Sequence, residues 1–179
     1  MTPITFYFDP ISPFAYLAFE RLPEALQGCS YVVEYRPVLF AGMLKHWGHK
    51  GPAEIDPKRE WTYRHLAWLA EQQGTVLQMP AVHPFNPLAL LRLLIAAGPN
   101  RHKVEAVMRH VWVGGEEAND PDRLAALTQQ LAPARDPASE DVKAELKAAT
   151  DAAIAQGVFG VPTFVATGQL FWGLDALPM

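Results

Sequence analysis

The chain has 179 residues, half of them hydrophobic, 19% charged and 11% aromatic. That length and composition fit one globular domain and exclude a disulfide-stapled mini-protein, a disordered segment and a collagen-like repeat. A formal net charge of −4 and a pI near 5.8 argue against a nucleic-acid partner and favour a small molecule. No apolar run reaches membrane-spanning length, which speaks against a membrane partner, and the lack of a basic, then apolar, start makes the cytoplasm the default location.

Thr5-Phe6-Tyr7-Phe8-Asp9 reads as a buried strand entering the turn Pro10-Ile11-Ser12-Pro13. A helix follows, with Phe14, Leu17, Ala18 and Leu22 on one stripe, ending near Gly28. Ser12 is an N-cap candidate, and Pro13 is pre-set for the first helical position. The plain reading of Ser12 is a helix cap. The sharper one is a hydroxyl that donates, beside free backbone N–H groups, to an anion such as a thiolate. Cys29 is the only cysteine, so an internal disulfide or dithiol exchange by this chain alone is excluded by counting, and a packed thiol is expected.

Tyr31 to Arg36 gives a second strand, and the helix before it suits a parallel βαβ crossover. From about Gly42 to Gln156 the pattern is helical, punctuated by proline and glycine. Asp56-Pro57 and Asn86-Pro87 each read as a cap followed by proline, starting helices that end near Gly74 and Gly98. On the first of these, Trp61, His65, Trp68 and Leu69 share a face. Val104, Val107, Met108, Val111 and Trp112 give a clean helical period, and Asp120-Pro121 starts another helix through Leu124, Leu127 and Leu131. Ser139 to Gly157 is the last, its charged positions forming a solvated face. Trp47, Trp61, Trp68 and Trp112 are expected in the core or in a cleft wall. The spacing of His46, His49, His65 and His83 gives no metal-ligand arrangement, and loop histidines are expected to be surface or gating groups. Finally Thr163–Ala166 and Gln169–Trp172 flank a Thr167-Gly168 turn as a hairpin. Val161-Pro162 before it is either a strand starter or a cis bond.

Phe6-Tyr7-Phe8-Asp9-Pro10-Ile11-Ser12-Pro13-Phe14-Ala15-Tyr16-Leu17, Gly157-Val158-Phe159-Gly160-Val161-Pro162-Thr163-Phe164 and Leu170-Phe171-Trp172-Gly173-Leu174-Asp175 closely resemble the 2-hydroxychromene-2-carboxylate isomerases. Arg36-Pro37-Val38-Leu39 with Lys45, and His83-Pro84-Phe85-Asn86-Pro87-Leu88, agree as well, so the resemblance spans nearly the whole chain. It implies an α/β fold: a thioredoxin-like sheet from residues 1–41 and 157–179, carrying an all-helical insertion, 42–156. The fold is shared with kappa-class glutathione transferases and with bacterial disulfide oxidoreductases, in which a redox cysteine takes the place of Ser12.

The resemblance further implies a glutathione-dependent isomerase of aromatic catabolism, in which Ser12 activates the tripeptide's thiol for reversible addition to an aromatic 2-oxo acid or its cyclic hemiketal. Val161 would pair its main chain with glutathione's cysteinyl residue beside Pro162. Trp172, Gly173, Leu174 and Asp175 would hold the γ-glutamyl end, and Lys45 and Asn86 would face the aromatic carboxylate substrate. Without the resemblance these three polar residues are a surface lysine, an N-cap asparagine and a capping aspartate. A kappa-like glutathione transferase and a non-catalytic binding module are the alternatives. Two departures stand out. Ala176 falls where many relatives carry a basic residue. The short end after Asp175 is expected to leave one face of the sheet less covered, so that either a second copy in a homodimer shields it or stability suffers.

Overall fold

The computed structural model describes residues 1–179, with the helical segment set between the second and third strands. The elements are β1 (Thr2–Phe8), α1 (Pro13–Ala25), β2 (Tyr31–Pro37), α2 (Phe40–Trp47), α3 (Asp56–Gln73), α4 (Leu88–Ala97), α5 (Arg101–Trp112), α6 (Pro121–Leu131), α7 (Glu140–Ala155), β3 (Thr163–Ala166) and β4 (Gln169–Trp172). Strand order is β2-β1-β3-β4, with β1 parallel to β2 and antiparallel to β3. This is the thioredoxin-like α/β plan expected from the sequence. The hairpin turn places Thr167 at φ 51° and Gly168 at φ 76°, the pair of left-handed residues that a type I′ turn needs to follow the strand twist. No helix is long and apolar enough to cross a membrane.

Alternation along β1 sends its side chains to two cores. Ile4, Phe6 and Phe8 join α1, Leu66 of α3, Leu90 and Leu94 of α4, and the Val104–Trp112 stripe of α5 in one continuous apolar cluster. Phe6 lies stacked between Phe8 and Phe164, with ring centroids at 5.2 and 4.7 Å. On the other face Tyr7 packs with Val38, Met43, Ala153, Val158 and Val161, and its hydroxyl donates to Gln156 at 2.9 Å. Both cores converge on the C-terminal end of β1, where Ser12 follows.

Several local expectations are corrected. The first helix stops at Ala25, three residues short of Gly28; its first half is buried almost all round, with Ala15, Tyr16 and Phe19 joining the predicted stripe, while Arg21, Pro23, Glu24 and Ala25 are exposed. Asp56 lies inside α3 and caps nothing, the capping position being Ile55. Asn86 works one step earlier than a cap: α4 begins at Leu88, whose N–H donates to Asn86 Oδ1 at 3.0 Å. Trp112 is fully buried, but Trp61 and Trp68 are 56% and 55% exposed because α3 turns Leu66 and Ala70 inward instead. Cys29 is exposed, not packed.

Candidate active site

Ser12 caps α1 as its sequence suggests: its backbone is extended, and Ala15 N–H donates to Ser12 Oγ at 3.2 Å. That bond uses a lone pair and leaves the hydroxyl proton free. The nearest acceptor is the Val161 carbonyl at 3.5 Å, well beyond the usual hydroxyl range of about 2.5–3.0 Å, so the proton is weakly held. Val161-Pro162 is cis. Two residues separated by 149 positions thus face each other across a buried junction. Around it, Phe14 N–H at the helix start and Val161 N–H in the loop have no acceptor within the chain. An anion seated here would meet a hydroxyl donor, a free N–H and the positive end of a 13-residue helix.

The Trp172–Asp175 segment is tied to the same loop, because Gly173 N–H donates to the Pro162 carbonyl at 2.9 Å. Gly173 sits at φ 101°, a conformation that suits glycine, and it redirects the chain so that Asp175 emerges exposed. The Trp172 indole lies over Gly160, where an added Cβ would come within 2.8 Å of Nε1. It also meets Phe159 at 5.0 Å between ring centroids. Trp47 Nε1 donates to the Val158 carbonyl at 3.2 Å, so the C-terminal end of α2 abuts this loop. Lys45, two residues earlier, is exposed on α2. Asn86 is exposed too, and its carbonyl accepts from Asn119 at 3.0 Å. The structure therefore gathers Ser12, Val161, Pro162 and the 172–175 segment, while Lys45 and Asn86 stand in the flanking α2 and pre-α4 segments with no bond to the Ser12–Val161 pair.

Three side chains with no expected part in the site hold the Pro10-Ile11-Ser12 turn. Asp9 is wholly buried, and its carboxylate accepts from Ile11 N–H at 3.0 Å and Phe40 N–H at 2.9 Å, joining the turn to the start of α2. Burial pushes its acid up to about 7, against the opposing pull of those two N–H bonds. Trp112 Nε1 donates to the Pro10 carbonyl at 3.0 Å. His83 Nε2 meets the Ile11 carbonyl at 2.8 Å, so this histidine is neither a surface nor a gating group. Asp9 could have been flagged as an acidic residue inside an apolar strand end; the other two give no local signal.

A family model described as "DSBA-like thioredoxin domain" matches residues 3–179. A 2-hydroxychromene-2-carboxylate isomerase from Sphingobium xenophagum is 31% identical over 183 residues, covering 97% of this chain and 93% of its own length. Glutathione S-transferase kappa 2 from Caenorhabditis elegans is 26% identical, with coverage of 98% and 88%. A solved 2-hydroxychromene-2-carboxylate isomerase structure superposes with a TM-score of 0.86 at 26% identity, covering 98% of this chain and 90% of the other.

Proposed function

Because the chain belongs to the DSBA-like thioredoxin domain family, and within it to the 2-hydroxychromene-2-carboxylate isomerases, we propose that it is a glutathione-dependent isomerase acting on an aromatic 2-oxo acid or its cyclic hemiketal. One observation carries this reading: a loosely held Ser12 O–H, with unspent Phe14 and Val161 N–H groups beside it. A disulfide oxidoreductase would need a thiol where Ser12 stands. With a single exposed cysteine elsewhere, the site can polarise a sulfur brought by a ligand but cannot supply one.

The residues present suit glutathione. Val161 offers an N–H and a C=O for strand-like pairing with the cysteinyl residue, and Ser12 O–H with Phe14 N–H would hold the sulfur as its anion. Asp175 would meet the γ-glutamyl ammonium in solvent-exposed surroundings. Lys45 and Asn86 would orient the substrate carboxylate and its neighbouring oxygens from the flanking segments. When bound, glutathione supplies a nucleophilic thiol whose reversible addition turns a fixed double bond into one that rotates.

The test is product analysis with glutathione and an aromatic 2-oxo acid carrying a conjugated double bond. An isomerised product with glutathione recovered unchanged supports the proposal, and a stable conjugate assigns the chain to kappa-type transfer instead. Asp175→Ala is expected to raise the glutathione concentration for half-maximal rate about fivefold, the scale of an exposed ion pair, with kcat little changed. An unchanged requirement in a saturation series removes Asp175 from the site.

A further inference from the structure

We infer that His83, backed by Tyr63, is a positioning residue that sets the aim of the Ser12 hydroxyl through the Ile11–Ser12 peptide. The Ile11 carbonyl can only accept, so the 2.8 Å contact makes His83 Nε2 the donor. Nδ1 is then the acceptor, and the Tyr63 hydroxyl donates to it at 2.6 Å while also lying 3.2 Å from the His83 carbonyl. The tautomer is fixed from both sides of the ring. Burial lowers the His83 pKa and keeps this neutral form in place at neutral pH.

The carbonyl of Ile11 and the N–H of Ser12 belong to one planar peptide unit. Its oxygen is held by His83, and its N–H donates to the Asp9 carbonyl at 3.0 Å. Fixing both ends prevents the plane from rotating, and rotation of that plane is the motion that would swing the Ser12 side chain away from Val161. The ring itself has little freedom: Trp112 lies 5.4 Å from it and Phe85 6.1 Å, measured between centroids. The His83 ring bonds Ile11 and Tyr63 and makes no hydrogen bond to Ser12 Oγ, so its influence passes through the backbone. Its catalytic consequence rests on the glutathione reading above; its structural consequence does not.

Two readouts separate these levels. Amide hydrogen exchange at Ser12 and Ala15, measured without glutathione, is expected to quicken about tenfold or more in His83→Leu and to return near the wild-type rate in His83→Gln, whose amide can still donate to Ile11. With glutathione and substrate, His83→Leu is expected to lose about tenfold in kcat, with the glutathione requirement changed less than about threefold. The ultraviolet thiolate signal of bound glutathione should then appear at higher pH. Tyr63→Phe leaves the Ile11 bond in place and should show the same changes at about two- to fivefold, which keeps the test decisive if His83→Leu does not fold. Unchanged exchange in folded His83→Leu, or quickened exchange with an unmoved kcat and thiolate signal, overturns the proposal. A wild-type protein that gives no thiolate signal removes the glutathione reading instead, while the exchange result still decides the positioning role.

Discussion

Ser12→Ala is expected to lower glutathione-dependent turnover by about 10- to 100-fold at neutral pH, the range for losing one hydrogen bond to a charged group. A thiol with a pKa of about 8.5 is only a few per cent ionised at pH 7, so ionisation alone can account for a factor of at most about 30. Any loss beyond that must come from orienting the sulfur. The two contributions respond differently to pH. Above about pH 8.5 a free thiol ionises unaided, so the deficit of the variant should shrink as pH rises, leaving only its orientation part. The substitution also removes the cap on Ala15 N–H, costing about 1 kcal/mol of stability, which denaturant unfolding would register separately. Wild-type kcat at pH 7 in folded Ser12→Ala would remove the hydroxyl from the mechanism; a deficit constant across pH would show that it does not act through ionisation.

Much of the architecture was legible because it depends on local rules. The stripe of α5 is readable residue for residue, since Val104, Val107, Met108, Val111 and Trp112 are all buried; the Thr167-Gly168 turn follows from Gly168 and the two-residue gap between the strands, while Thr167 is held at φ 51°, a conformation uncommon for a β-branched residue. Periodicity alone did not reveal which side of α3 faces inward. Trp61 and Trp68 share an apolar face that the fold leaves outside, where His65 stacks near both at 5.8 and 6.0 Å, while the buried side is carried by the smaller Leu66 and Ala70.

The meeting of Ser12 with Val161 was anticipated from two motifs resembling one family, and its geometry bears on the whole proposal. The supports of the turn were hidden because each is a contact between distant segments. His83 reaches Ile11 across 72 positions, Trp112 reaches Pro10 across 102, and Asp9 reaches Phe40 across 31. No helical period or turn preference encodes such a pairing. These contacts also explain how a small hydroxyl can be aimed at all: the turn carrying it has little secondary structure of its own, and its direction is set by side chains arriving from α5, from the segment before α4 and from the end of β1.

Asp9 is expected to have the largest effect on stability. Asp9→Ala leaves Ile11 N–H and Phe40 N–H without their acceptor, and a buried unpaired donor costs about 1–3 kcal/mol, so a loss of roughly 3 kcal/mol is anticipated in denaturant unfolding near pH 4, where the native carboxyl is neutral. The native carboxyl is itself held in a poor environment for charge. Its pKa is near 3.9 in an unfolded chain and about 7 in the folded one, so between those values the native state binds more protons than the unfolded state. Stability contributed by this group is therefore fully present below about pH 4 and declines as pH rises toward 7, by on the order of 4 kcal/mol across the window. This runs opposite to the usual paired carboxylate, whose protection is lost in acid. Asp9→Asn keeps one acceptor and carries no charge, so its unfolding free energy should lack that decline. Subtracting the two curves, measured in urea at intervals from pH 4 to 8, isolates the residue, and parallel curves would mean that the two backbone N–H bonds outweigh burial and keep Asp9 ionised throughout.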